Sequence, residues 1–130
     1  MAILSETSRV RNANRESTIY KLMDDESADE VTSDALDVLD VDSVTLLVET
    51  SAGVSGGVVT LEAARTSDYS GTWQSMGTIT TSAASRTYLL SLSPSNDVSG
   101  DAALPVPYIR ARISTVLTGG TIDVYIIVRK

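Results

Sequence analysis

Gly57-Val58-Val59-Thr60-Leu61-Glu62-Ala63-Ala64-Arg65 is followed by Thr66-Ser67-Asp68-Tyr69-Ser70-Gly71. Thr72-Trp73-Gln74-Ser75-Met76-Gly77-Thr78-Ile79-Thr80-Thr81 comes next. Val59, Leu61 and Ala63 fall on one side of a two-residue alternation, with Thr60 and Glu62 on the other. That is the pattern of a strand with one buried face. Ser67 to Gly71 supplies turn chemistry, because Asp and Ser bond locally to the backbone and Gly accepts positive φ. A second strand then carries Trp73, the only tryptophan of the chain, and is interrupted at Gly77 as a bulge or bend would interrupt it. The segment reads as a β-hairpin pinned by one large ring.

Working outward, the same two-residue period recurs. Val44, Leu46 and Val48 alternate with Ser43, Thr45 and Glu49, and Leu47 breaks the polar side. Tyr88, Leu90 and Leu92 share one side of Arg86–Leu92. Ile109, Ala111 and Ile113 point inward from Tyr108–Ser114, leaving Tyr108, Arg110 and Arg112 outward. In the last segment Ile122, Val124, Ile126 and Val128 point inward. Val31–Val38 alternates imperfectly. Gly-, Ser-, Asn- and Asp-rich loops separate these stretches, the longest being Ser93–Asp101, and Leu117–Gly120 reads as a turn. Short strands at such spacing predict an all-β, antiparallel sandwich or jelly roll. No stretch after Val31 suits a crossover helix, so parallel βαβ units are excluded.

Residues 1–29 read differently. Arg9, Arg11, Arg15 and Lys21 make a basic first part, Ile19, Tyr20, Leu22 and Met23 one apolar cluster, and Asp24 to Glu30 an acidic run. A helix over Ser17–Met23 would be too short to stand alone. The expectation is therefore an extended or partly disordered N-terminal arm over residues 1–29, ordering against a partner, followed by a sandwich domain over 30–130.

Composition narrows the chemistry. The 130 residues suffice for one domain and contain no Cys and no His. Disulfides, thiolate sites and imidazole chemistry are thereby excluded. The formal net charge of −7 argues against general nucleic-acid affinity. No apolar run reaches membrane-spanning length, and Ala2-Ile3-Leu4 is too short for a signal peptide, which implies synthesis in a cytoplasm. Asp34, Asp37, Asp40 and Asp42 offer oxygen donors, but the Gly and Glu positions of an EF-hand are missing, and a solvated acidic edge explains them as well. Asp97 and Asp101 read as turn formers rather than a glycosidase pair. No phosphate loop is present. Catalytic, metal and cofactor sites are accordingly not expected.

Binding residues are expected instead. Arg110 and Arg112 beside Tyr108 have the composition of an interface hot spot; the rival reading pairs them with Glu62 or Asp123 across the sheet. Arg9, Arg11, Arg15 and Tyr20 are the arm's candidates. Trp73 either stacks on a sugar from a loop or plugs the core, and the lack of any Phe favours the plug.

Three pieces together resemble a known group: Asp34-Ala35-Leu36-Asp37-Val38 before Ser43–Val48; Val59–Ala63 with Ser67-Asp68, Gly71-Thr72-Trp73 and Met76-Gly77-Thr78; and Tyr108–Ile113 with Gly119-Gly120-Thr121. Over roughly residues 31–128 the chain resembles small β-sandwich virion proteins of tailed bacteriophages, especially capsid decoration (cement) proteins. The hairpin turn departs from that pattern, with Asp68-Tyr69-Ser70-Gly71 where Asn-Asp-Gly is usual. The resemblance implies a jelly-roll-like module without catalysis that sits on the major capsid protein of a virion, often as a homotrimer, with the arm crossing neighbouring subunits. A carbohydrate- or receptor-binding module of a tail or fibre, or a minor head or tail completion protein, are the alternatives.

Overall fold

The computed structural model describes residues 5–12, 15–28, 30–93 and 104–130, with side chains from residue 17 onward. The described residues form β1 (Ser5–Asn12), β2 (Arg15–Glu26), β3 (Leu36–Asp37), β4 (Ser43–Thr50), β5 (Gly56–Ala64), β6 (Gln74–Thr80), β7 (Thr87–Leu92), β8 (Tyr108–Thr118) and β9 (Ile122–Arg129). They build a five-stranded sheet in the order β1-β2-β9-β4-β7 and a four-stranded sheet in the order β3-β8-β5-β6. All the pairings are antiparallel. After β2, every connection except the β5–β6 hairpin crosses from one sheet to the other. The strand order β2-β9-β4-β7 over β3-β8-β5-β6 is that of a jelly roll, with β1 added at one edge.

The alternation read from the sequence sets the core. Val44, Leu46 and Val48 of β4, Val59 and Leu61 of β5, Ile109, Ala111 and Ile113 of β8, and Val124 and Ile126 of β9 are all fully buried between the sheets. The β5–β6 hairpin is present and the bulge falls where Gly77 predicted it: the register slips between Leu61 and Glu62, opposite Gly77 and Ser75. Gly77 has φ +144°, a backbone conformation that side chains with a Cβ rarely adopt, and a Cβ there would also press on the Leu90 side chain, 2.7 Å from Cδ2.

Three expectations change. Residues 15–26 are extended, but they form an interior strand of the sheet rather than an arm, so no boundary at residue 29 separates them from the sandwich. β2 pairs with β9 from Ser17–Arg129 to Glu26–Ile122. A register shift between Lys21 and Met23 turns both Leu22 and Met23 into the core, where neither is exposed to solvent. Second, Val31–Val38 keeps only β3 and a bridge from Thr32 to Arg112. Third, β8 runs on through Leu117, which is buried rather than part of a turn: the two register shifts opposite Gly56–Val59 each add one residue to β8, so Leu117 keeps the inward phase of Ile109, Ala111 and Ile113. The Ser93–Asp101 loop, including Asp97 and Asp101, lies largely outside the described residues.

The β4–β5, β6–β7 and β8–β9 connections meet at one end. Ser51 binds them together: its carbonyl accepts the Ser85 N–H at 3.2 Å and its Oγ accepts the Thr121 N–H at 3.0 Å.

If β2 is a structural strand, Met23→Ala and Leu22→Ala should each lower the unfolding free energy by about 2–5 kcal/mol in denaturant melts. A loss under about 0.5 kcal/mol, as at a surface position, would return this segment to the status of an arm.

Candidate functional site

The outer face of the four-stranded sheet carries a charged ladder built by strand register. Glu62 on β5 lies opposite Arg110 on β8, with Arg112 one pleat along opposite Thr60. All project away from the core. Glu62 is nonetheless buried, because both arginines fold over it. Arg110 Nε donates to Glu62 Oε1 at 3.0 Å and Arg112 Nε to Glu62 Oε2 at 2.7 Å. Arg112 Nη1 also donates to both carboxylate oxygens of Glu30, at 3.0 and 2.9 Å. The hydrogen bond to Glu62 is the main reason the Arg112 pKa is raised; partial burial opposes it, and the charges of Glu62 and Glu30 add to it.

Trp73 completes this ladder. It is buried, yet it is not a member of the inter-sheet core cluster. The bulge register places it on the outer side, with the Arg110 guanidinium 4.1 Å from its ring centroid and its Nε1–H donating to the Tyr69 carbonyl at 2.9 Å. The core-plug reading is corrected to this extent: Trp73 is a plug, but under Arg110 rather than between the sheets.

A second cluster was not anticipated. Asp24 and Asp25 at the end of β2 meet Asp123 of β9, with one carboxylate oxygen of each within 4.8 Å of the others. Internal donors already occupy it: Lys21 Nζ lies 2.7 Å from Asp24, and the Asp25 N–H donates to Asp123 at 2.8 Å. The hydrogen bond to Asp24 raises the Lys21 pKa, and the same contact followed by the Lys21 charge lowers that of Asp24. This corner borders an open cavity of about 270 Å³ at the end where the loops meet, with Glu49, Ser51, Arg86 and Thr121 on its walls. The acids named from sequence are placed apart from it. Asp37 accepts the Leu39 N–H at 3.2 Å in a local turn, and Asp40 lies 3.6 Å from Lys130.

The outer face of the five-stranded sheet is the third surface. Lys21, Tyr125, Leu47 and Leu89 stand in one cross-strand row over β2, β9, β4 and β7. Lys21 Nζ sits 5.5 Å from the Tyr125 ring centroid, and Leu89 is 63% exposed.

The predicted binding residues are therefore divided. Tyr108, Arg110 and Arg112 share a face as expected, but the two charges are engaged by Glu62 and Glu30. Tyr20 is corrected: it sits half-buried opposite Ile126 and packs against the core, because the β2 pleat turns it inward. Arg9 and Arg11 lie on β1 and Arg15 begins β2, but their side chains are outside the described part of the structure. Glu62 was legible as a partner from its place in the alternation. Glu30 and the Asp24–Asp25–Asp123 corner were not, since each depends on contacts between segments far apart in the chain.

The chain matches no protein-family model and no curated protein sequence. Among solved structures it is similar in fold to the SPBc2 prophage-derived protein YomS, with a TM-score of 0.59 and 12% identity over 93% of this chain and 99% of that one. Weaker likenesses are the apo form of BiXyn10A CBM1 (TM-score 0.42, 14% identity, 88% and 72% covered) and a protein of the Bacillus endospore appendages that form disulfide-linked pili (0.47, 11%, 96% and 96%). Those two scores are too low to carry an argument.

Glu62→Ala should lower stability by about 3 kcal/mol, since it leaves two half-buried guanidinium groups without their shared carboxylate. Glu30→Ala, which removes an exposed partner, should lower it by less than about 1 kcal/mol. Equal losses in chemical denaturation would refute the ladder. The lowered Asp24 pKa means that its contact with Lys21 stabilises the fold above the ordinary value of 3.8 and is lost as pH falls through the lowered value. The raised Lys21 pKa means the same contact stabilises below 10.5 and is lost as pH rises through the raised value. In an NMR titration the Asp24 carboxyl should show a midpoint below 3.8, moving back toward it in Lys21→Met.

Proposed function

We propose that this chain is a structural protein of a tailed-phage virion, docking on the capsid shell as a decoration subunit and strengthening it by adhesion rather than by bond-making. The observation that carries the reading is fold likeness over nearly whole chains to a prophage-derived protein, which agrees with the resemblance of residues 31–128 to cement proteins. The surfaces suit the role. A jelly roll offers two broad outer faces, one bearing the neutralised Arg–Glu ladder and the other the partly apolar row ending at Leu89. On the first face the arginine charges are already matched by Glu62 and Glu30, so it can bury area against a partner without stranding them. Many copies on one lattice would add avidity to a modest single contact. The major capsid protein is the partner this reading names, and a homotrimer the assembly that the resemblance implies.

Purified protein should bind particles that lack it and raise their resistance to heat or chelator. Failure to bind at any salt concentration would remove the capsid reading. Copy number separates the head from the tail: hundreds per particle fit decoration, a handful a completion protein. The sugar-binding alternative loses its first candidate, because Trp73 is covered by Arg110, and passes to Tyr69, which is 48% exposed on the β5–β6 loop. Glycan-array binding abolished by Tyr69→Ala would favour that alternative.

A further inference from the structure

We infer that a second copy of this chain adds to the five-stranded sheet along β7, antiparallel strand to strand about a two-fold axis. The inference goes beyond the capsid reading and does not rest on it.

An edge strand exposes a row of backbone donors and acceptors, and proteins that remain monomeric blunt such edges with charge, brevity, bulges or proline. Of the four edges among the described strands, three are blunted. β1 carries Glu6, Arg9 and Arg11 and a register break between Glu6 and Ser8. β3 is two residues long. β6 is bent by the bulge at Gly77. β7 has none of these devices: Thr87-Tyr88-Leu89-Leu90-Ser91-Leu92 contains no charge and no proline and pairs with β4 in unbroken register from Val44–Leu92 to Glu49–Thr87.

The ladder's phase shows which groups are free for pairing. The Thr50 N–H donates to the Arg86 carbonyl at 2.9 Å, which marks that pair as hydrogen-bonded. Antiparallel pairs alternate, so Tyr88, Leu90 and Leu92 also bond to β4, while the backbone N–H and C=O groups of Thr87, Leu89 and Ser91 turn toward the open edge.

The strand's chemistry identifies the occupant as itself. Antiparallel pairing of a strand with its own copy is an isologous contact, in which the same residues serve both sides. β7 brings no acid to the seam, which matters for a chain of formal charge −7. A two-fold axis normal to the sheet keeps the outer faces on one side. It sets the exposed Leu89 beside its own copy and continues the row of Lys21, Tyr125, Leu47 and Leu89 into the second molecule. The product is a ten-stranded sheet, from five strands in each copy.

The test is the mass of the full chain by light scattering across a dilution series. Wild type should show twice 13.8 kDa at high concentration. Leu89→Lys places charges face to face at the seam, and Ser91→Pro deletes one outward N–H while sparing the β4 ladder; either should halve the mass with the β circular dichroism spectrum retained. Thr78→Lys, on the exposed side of β6, should leave the dimer intact. Hydrogen exchange of wild type serves as a check that needs no variant: protection of the Leu89 and Ser91 amides should fall on dilution. A monomer at every concentration, a trimer, a dimer that survives whichever β7 variants fold, or concentration-independent exchange at Leu89 and Ser91 would each overturn the proposal. So would pairing of β7 with a capsid-protein segment in place of a second copy.

Discussion

The pairing of β2 with β9 is the constraint on which the rest of the molecule depends. It joins residues about a hundred positions apart, Ser17 to Arg129 and Glu26 to Ile122, and places the first long strand beside the last. β9 is thereby paired on both sides, and Leu22 and Met23 close the core over Val124 and Ile126. Loop-closure entropy opposes a contact of this range until burial offsets it, so such folds are dominated by non-local pairing and form slowly. The bulge at Lys21–Met23 concentrates that burial, because two adjacent side chains enter the core where regular pleating would admit one.

On the opposite sheet the ordering agent is electrostatic. A buried carboxylate on an outward-facing position would be unfavourable alone. Here Glu62 receives one guanidinium on each oxygen, and Arg110 is held in place from its other side by Trp73. The β5–β6 loop is tied to the same unit through Trp73 and the Tyr69 carbonyl. Loop, strand pair and the 30–33 segment alongside β8 are thus one polar assembly. Its value lies as much in fixing register as in net stability, since a slip of one residue would strand Glu62 in the core.

The parts of this structure legible in sequence were those governed by local periodicity. Val44, Leu46 and Val48 take the buried side of β4 as their alternation implies, the 86–92 strand is legible within one residue, and the interruption at Gly77, a bulge or bend by sequence, is a bulge. What escaped was set by register between distant segments. The alternation Thr18-Ile19-Tyr20 fails at Lys21-Leu22-Met23 because a bulge consumes one residue, and an interrupted period beside an acidic run looks like an arm. Leu117 keeps the inward phase of Ile109, Ala111 and Ile113, but the glycines that follow it make the end of β8 look like a turn. Trp73 was read as buried, but its side of the sheet follows from the β5–β6 register shift, which no count along the chain supplies.

The polar groups of the described interior are taken up in holding it together. Among the described residues every buried side-chain nitrogen or oxygen has a partner. The buried hydroxyls act as ties: Thr50 Oγ1 donates to the Ala83 carbonyl at 2.8 Å, Ser33 Oγ accepts the Ala111 N–H at 3.0 Å, and Thr60 and Ser114 share a bond of 2.8 Å. Groups committed in this way hold segments together and are not poised for a ligand. The groups with capacity left are at the surface: the exposed Leu89 and Tyr69, the acid-lined cavity where the loops meet, and the backbone of β7. Of these, the β7 edge is the one where the proposed contact would run main chain to main chain, the kind that depends least on which side chains it meets.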